Sequence, residues 1–209
     1  KSDARPGISG AVSGGMLTAG TMEIKGDFTQ ASTSEGSYAQ YGFNASGTHK
    51  VILSGTGEQT VSFEDPGSSD FNILEVTNKT GKVVFNELPV CGSIVGDIIS
   101  DTDINLYYPN FDLSNQTIKA PNVYWLSGGE IEFLDGAKID SNLIHTNGNL
   151  IVRGNAEITG DYYITNADKT ASGEGQLYMN NADGYLLIHG DFKSDARPGI
   201  SGAVSGGML

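Results

Sequence analysis

The chain contains 209 residues, with 12 lysines and arginines against 25 aspartates and glutamates, and carries a formal net charge of −13 at pH 7. This acidic balance argues against a protein that holds nucleic acid through its phosphates, and no apolar run approaches the ~18–20 residues of a membrane-spanning helix. The single cysteine, Cys91, excludes an internal disulfide framework, while 38% hydrophobic residues are enough for a folded core.

The first seventeen residues recur at the end of the chain. Residues 1–17 and residues 193–209 both have the sequence KSDARPGISGAVSGGML. One explanation is a segment duplicated during cloning, and the other is a tandem array with a period of 192 residues. We favour the array because the second copy follows GYLLIHGDF (184–192), a relative of GTMEIKGDF (20–28). Residues 1–192 are then predicted to form one full repeat, and residues 193–209 to begin the next.

Short segments rich in β-branched, leucine and aromatic residues recur along the chain between Gly, Asn, Asp and Ser, and they predict β-strands. In chain order they are Gly20–Phe28, Lys50–Ser54, Phe71–Val76, Asn122–Leu126, Glu130–Phe133, Gly148–Tyr162 and Gly184–Phe192. Apolar residues do not recur at helical spacing over three turns in any segment. The chain is therefore predicted to be nearly all β.

The spacing of these strands predicts the architecture. Strands begin near residues 20, 50, 71, 94, 122, 148 and 184, at intervals that average roughly 27 residues, which is typical of one coil of a solenoid. We therefore predict a right-handed parallel β-helix with about seven coils in each 192-residue repeat, advancing roughly 34 Å at 4.8 Å per coil. The alternative is a β-sandwich or jelly roll, although strands of a sandwich usually recur every 8–12 residues.

Three Gly-Asp pairs each precede an aromatic residue and predict corners between strands. Glycine supplies a permissive backbone, and the aspartate carboxylate can accept a backbone N–H two residues further on. A ladder of these carboxylates that binds cations is the functional alternative. The predicted corner residues are Gly26, Asp27, Gly160, Asp161, Gly190 and Asp191.

An acidic cluster in the middle of the chain is the best candidate for a metal site. Asp97, Asp101, Asp103 and Asp112 lie within GDIISDTDINLYYPNFD, and Ca²⁺ prefers six to eight oxygen ligands. The EF-hand spacing is absent, and a solvated acidic loop is the alternative. No other cofactor is predicted, and the three histidines show no zinc-binding spacing; they are His49, His145 and His189.

Aromatic and acidic side chains suggest two alternatives to a purely structural protein. Exposed aromatic rings could stack on sugars; packing of the same rings in the core is the competing interpretation. Glu130 and Glu132 alternate on one predicted strand face, as paired carboxylates of a glycan-cleaving enzyme would, and as an ordinary solvent-facing row also would. The residues nominated for glycan stacking are Tyr107, Tyr108, Tyr124 and Trp125.

Two stretches resemble known proteins. Ser46–Phe63 (SGTHKVILSGTGEQTVSF) and Phe71–Asn78 (FNILEVTN) resemble a segment that recurs in very large secreted or surface proteins of Gram-positive, clostridia-like bacteria. The segments GNAEITGDY and GTMEIKGDF are similar to coils of bactofilin-type and adhesin-type β-helices. The resemblance implies an extracellular, cell-surface-associated repeat region with no established enzymatic role.

Together these observations predict a structural repeat of a long extracellular bacterial fibre, stalk or adhesin shaft. Its partners are expected to be neighbouring copies of the same repeat, end to end, and surface or matrix glycans are a further candidate. A carbohydrate-binding surface module and a polysaccharide-degrading enzyme are the alternatives. We expect no enzymatic activity, no nucleic-acid partner and no membrane insertion.

Overall fold

The computed structural model describes residues 2–4, 12–32, 43–64, 69–78, 80–85, 87–88, 90–165, 175–195 and 204–205. The chain divides into two compact units, unit 1 (Lys1–Gly96) and unit 2 (Asp97–Leu209), and each is treated separately below. All regular secondary structure in the described ranges is β-strand, which confirms the all-β prediction. Within these ranges there is no helix of the length and apolar character that crossing a membrane requires.

The described residues of the two units form 24 short strands. Those of unit 1 are β1 (Ser2–Ala4), β2 (Val12–Leu17), β3 (Thr21–Ile24), β4 (Phe28–Ser32), β5 (Phe43–Ala45), β6 (Lys50–Leu53), β7 (Gln59–Phe63), β8 (Asp70–Val76), β9 (Val83–Phe85), β10 (Glu87–Leu88) and β11 (Val90–Val95). Those of unit 2 are β12 (Ile98–Ile99), β13 (Ile104–Leu106), β14 (Asn110–Leu113), β15 (Thr117–Trp125), β16 (Glu130–Phe133), β17 (Ala137–His145), β18 (Gly148–Val152), β19 (Asn155–Ile158), β20 (Tyr162–Thr165), β21 (Gly175–Tyr178), β22 (Tyr185–Ile188), β23 (Phe192–Asp195) and β24 (Val204–Ser205).

The strands of unit 1 form three series, and within each series every strand pairs in parallel with the next one. The first series runs β1, β4, β7, β9, the second β2, β5, β8, β11, and the third β3, β6, β8. Strand β8 belongs to two series because Asp70 pairs with Asn44 of β5, whereas Leu74 pairs with Val51 of β6. Between them lies Asn72, whose φ of 59° is left-handed, so the chain changes direction inside β8.

Unit 2 repeats this arrangement with three series of five strands. The first series runs β12, β15, β17, β19, β22, the second β13, β15, β17, β20, β23, and the third β14, β16, β18, β21, β24. All of these pairs are parallel. We call a stretch of chain that adds one strand to each series a pass.

The cores of both units lie beneath alternating side chains. In β17, buried and half-buried residues alternate over all nine positions, as expected for a strand with one face turned to the core. Unit 1 packs four phenylalanine rings, Phe28, Phe43, Phe63 and Phe71, with centroids 5.0–5.5 Å apart. Apolar burial of this kind is the main favourable contribution to folding.

The spacing predicted from sequence needs correction in unit 2. Paired residues of successive strands there lie 19 to 21 residues apart in most steps. The steps that add β21, β22, β23 and β24 are longer, at 27 or 30 residues. The sequence analysis missed one pass because β15 and β17 each belong to two series, and neither strand contains a glycine that marks its corner. The corner in β15 falls near Ala120–Pro121, where the register shifts. The parallel pairs formed by the described strands also differ from the antiparallel hairpins of the sandwich alternative.

Candidate functional site

The first copy of the repeated segment pairs with strands that follow it in the chain, whereas the second copy pairs with strands that precede it. From its first copy, β1 and β2 pair with β4 and β5, which follow them in sequence. From its second copy, β23 and β24 pair with β20 and β21, which precede them. Ser2 therefore pairs with Gln30, whereas Ser194, the same position of the repeated segment, pairs with Ile164. In each copy, only one of the two strand edges has a partner among the described residues.

The terminal strands of the remaining series leave part of the core uncovered. In β3, the inward side chain of Ile24 is half-buried, whereas its neighbour Leu53 in β6 has no exposed surface. At the other end, Ile188 in β22 is half-buried above the fully buried Ile158 of β19. Among the described residues, the outer edges of β3 and β22 thus have no partner strand and lie beside partly exposed apolar side chains, the combination that leads to strand addition.

The carboxylates of the corner aspartates accept backbone N–H groups of the next pass. The Asp27 carboxylate accepts a hydrogen bond from the backbone N–H of Thr60 at 2.8 Å, and that of Asp161 accepts one from the N–H of Asp191 at 2.8 Å. These partners lie 33 and 30 residues away. These backbone donors lie in the next pass and not two residues further on as predicted from sequence, although Asp161 also accepts from the Tyr163 hydroxyl at 3.4 Å.

Glycine is needed at two of the three predicted corners because neighbouring passes approach closely. A Cβ on Gly160 would collide with the Asn142 side chain, and a Cβ on Gly190 would collide with the Asp161 side chain. Gly26 has open space around it. Close approach, which sequence alone does not reveal, thus explains Gly160 and Gly190, but not Gly26.

Polar side chains at one corner of unit 2 form a continuous hydrogen-bonded column across five passes, which we call the corner column. The Asp103 carboxylate accepts from the Asn122 amide at 3.0 Å, and the Asn122 carbonyl accepts from the Asn142 amide at 3.1 Å. The Asn142 carbonyl accepts from the backbone N–H of Asp161 at 2.9 Å, and Asp161 accepts from Asp191 as described above. Each member satisfies a polar group of its neighbour. The column therefore fixes the register of successive passes.

The four predicted metal ligands are not gathered into one site. Asp97 accepts the backbone N–H of Thr117 at 2.8 Å, and Asp103 begins the corner column. Asp101 is exposed in the connection before β13, and Asp112 is exposed on β14, in another series. In the part of the chain that the structure describes, no three His, Cys, Asp or Glu residues are placed to hold a metal ion. Calcium binding stays a prediction.

The four aromatic residues nominated for glycan stacking have different environments. Trp125 has no exposed surface, so its ring offers no face to a sugar, and the prediction for this residue is corrected. It lies inward because Trp125 ends β15 in register with the buried Leu106 of β13. Tyr108 is 54% exposed, while Tyr107 and Tyr124 are half-buried.

A buried stack of rings occupies the core of unit 2. Trp125 and His145 are stacked with centroids 4.3 Å apart. His145 Nε2 lies 3.1 Å from the carbonyl oxygen of Gly148, which can only accept, so Nε2 carries the proton and Nδ1 accepts from the Tyr162 hydroxyl at 3.0 Å. Burial lowers the pKa of His145 to about 4 and raises that of Tyr162. The stack is therefore neutral at pH 7.

The candidate carboxylate pair lies on the outward face of β16. Glu132 forms a salt bridge with Arg153 at 2.8 Å, and the pKa of Arg153 is raised mainly by its hydrogen bond to Glu132. Glu132 also lies beside Asp112 of the neighbouring strand. Arg153 therefore joins two passes, a structural role that does not require catalysis by Glu130 or Glu132.

The chain was compared with protein-family models, with curated proteins and with solved structures, and none of the three comparisons found a match. The bacterial surface-protein resemblance of Ser46–Asn78 therefore rests on those residues alone.

Proposed function

We propose that this chain is one period of a long extracellular fibre, stalk or adhesin shaft of a bacterial surface, folded as a right-handed parallel β-helix. Its partners are further copies of the same repeat, joined end to end. The extracellular bacterial setting is supported by the resemblance of Ser46–Phe63 and Phe71–Asn78 to segments of large surface proteins. The net charge of −13 keeps neighbouring rods apart in solution.

One observation carries the proposal: the two copies of the repeated segment pair through opposite edges. If residue 193 of one period is residue 1 of the next, both edges of this segment acquire a partner strand. The same superposition places β3 of the next period after β22, covering the half-buried Ile188 and Ile24. A segment duplicated by cloning has no physical reason to produce complementary edges.

The corner column continues through this junction. Asp161 accepts the N–H of Asp191 at one end of the chain, and Asp27 accepts the N–H of Thr60 at the other. With a 192-residue period, the strand that pairs with the outer edge of β23 is β4 of the following copy, with its Phe28 beside Phe192. The Asp191 carboxylate then meets the N–H of the following Asp27. The ladder then runs without interruption from one period into the next.

Proteins containing one, two and three periods test the proposal by electron microscopy. Each added period should lengthen the particle by the same amount at constant width, because strands add at about 4.8 Å along the rod. A meridional fibre-diffraction reflection at about 4.8 Å is expected from aligned material. Periods that behave as separate compact particles on flexible tethers would overturn the shaft.

Replacement of Asp191 by alanine tests the junction itself in a two-period protein. In the first period the change should lower the free energy of unfolding by about 1–2 kcal/mol, because it leaves the N–H of the following Asp27 without its acceptor. In the last period the same change serves as control, since the described residues there supply no donor to the Asp191 carboxylate. Urea unfolding measures both variants, and equal losses would contradict the junction.

A further inference from the structure

A groove crosses the outer surface of unit 2 along its first strand series. It has a volume of about 520 Å³. Thr117, Lys138, Glu157 and Leu187 are consecutive partners in β15, β17, β19 and β22, so they form a straight row of about 14 Å at the spacing of parallel strands. The groove therefore runs across the strands, along the direction in which passes follow one another.

The lining combines hydrogen-bonding groups with one apolar end. Amides of Asn115 and Asn155 and the Thr117 side chain supply neutral polar groups. At the end formed by β22, Tyr185 is 55% exposed and Leu187 is 39% exposed, among the most exposed large hydrophobic residues of the described chain. An exposed tyrosine ring of this kind provides an apolar face together with a polar hydroxyl.

The charged residues of the groove are largely neutralised within it. Lys138 Nζ lies 3.4 Å from one carboxylate oxygen of Glu157, and His189 Nε2 lies 2.7 Å from the other. Asp97 accepts the backbone N–H of Thr117. The groove thus offers donors and acceptors without a strong excess of either charge, apart from the Asp97 carboxylate.

Several ligand classes do not fit these features. A nucleic acid would meet the carboxylates of Asp97 and Glu157 in a chain of net charge −13. A peptide added as a strand needs an unpaired edge, whereas β15, β17 and β19 are paired on both sides. The open edge of β22 lies at one end of the groove, so a strand added there would not lie along it. A multivalent cation lacks three gathered ligands among the described residues.

We propose that this groove binds a linear, uncharged oligosaccharide. Its hydroxyl groups would exchange hydrogen bonds with Asn115, Thr117, Asn155 and the Lys138–Glu157 pair, and one pyranose ring would stack its C–H face on Tyr185. A straight glycan suits a straight row of side chains repeated at each strand. The site uses none of the four aromatic residues nominated from sequence.

Isothermal titration of the 209-residue chain with cellohexaose and with N-acetylated chitohexaose tests the site, with hexagalacturonate as an anionic comparator. At least one neutral probe should bind saturably with one site per chain and more tightly than hexagalacturonate. Absence of binding by both neutral probes, or preference for the anionic one, would overturn the proposal.

Three variants locate the binding. Tyr185→Asn should weaken binding of the neutral probe about tenfold, because it removes the stacking platform, whereas Tyr185→Phe keeps the ring and should stay within about twofold. Tyr108→Asn is the matched control, since Tyr108 is 54% exposed outside the groove and asparagine tolerates its φ of 48°. Circular dichroism checks that each variant folds. An equal loss in Tyr108→Asn, or no loss in Tyr185→Asn, would contradict the assignment.

Discussion

Replacement of Gly148 by alanine is expected to lower the free energy of unfolding by about 3 kcal/mol. Gly148 has a φ of +87°, and an added Cβ would lie 2.7 Å from the indole ring of Trp125. That ring has no exposed surface and is stacked on His145, so it has no space into which to move. Backbone strain and overpacking therefore act together at this position.

Gly20→Ala separates these two contributions. Gly20 has nearly the same φ, +86°, but nothing lies within 4 Å of its added Cβ. Only the backbone strain applies there, and a loss of about 1 kcal/mol is expected. Urea unfolding followed by circular dichroism measures both variants. Equal losses would show that the close contact between the added Cβ at position 148 and the Trp125 ring does not contribute to the destabilisation.

Acidification from pH 7 to pH 5 is expected to destabilise unit 2 by about 2 kcal/mol, rising to about 3 kcal/mol below pH 4. Burial lowers the pKa of His145 to about 4 in the folded chain, against about 6.5 when unfolded. Above pH 6.5 the imidazole is neutral in both states, and protonation of His145 then takes nothing from the free energy of unfolding. Between pH 6.5 and pH 4 only the unfolded chain takes up the proton, so stability falls as the pH falls.

The variant His145→Phe should remove this pH dependence. Its overall stability will be lower because the Tyr162 hydroxyl loses its partner, but the slope between pH 7 and pH 5 should be nearly flat. Tyr162→Phe is the control, because it removes the same hydrogen bond but keeps the buried imidazole, so the slope should remain. Fluorescence of Trp125, the single tryptophan of the chain, reports the unfolding of unit 2. An unchanged slope in His145→Phe would refute the assignment to His145.

Much of the strand pattern is predictable from local sequence. Alternating apolar residues in Lys50–Ser54, Phe71–Val76 and Glu130–Phe133 predict strands that the structure contains. The corner between the two halves of β15 was missed because it contains Ala120–Pro121 and no glycine. A corner made by one register shift leaves only a weak local signal, so the count of passes in unit 2 required the strand pairings.

The sequence predicts which residues of a strand share a face more readily than which face is turned to the core. Alternation places Trp125 and Tyr124 on opposite faces, but it does not say which face is the core. The core face of β15 is set by its pairing with Leu106 on one side and His145 on the other. The sequence interpretation therefore nominated a buried tryptophan for sugar stacking and left the exposed Tyr185 unconsidered.

By itself, the sequence determined the all-β character of the chain, its composition, and the exact recurrence of residues 1–17 at 193–209. Strand propensity and exact repetition can be read from the sequence without knowing the fold. Only the tertiary structure decided which pass each corner aspartate binds, that the two copies of the repeated segment pair through opposite edges, and that Asn115, Asn155 and Tyr185 line one groove. These features depend on the register between strands that lie 19 to 33 residues apart. Loop lengths and packing set that register, and no local pattern encodes it.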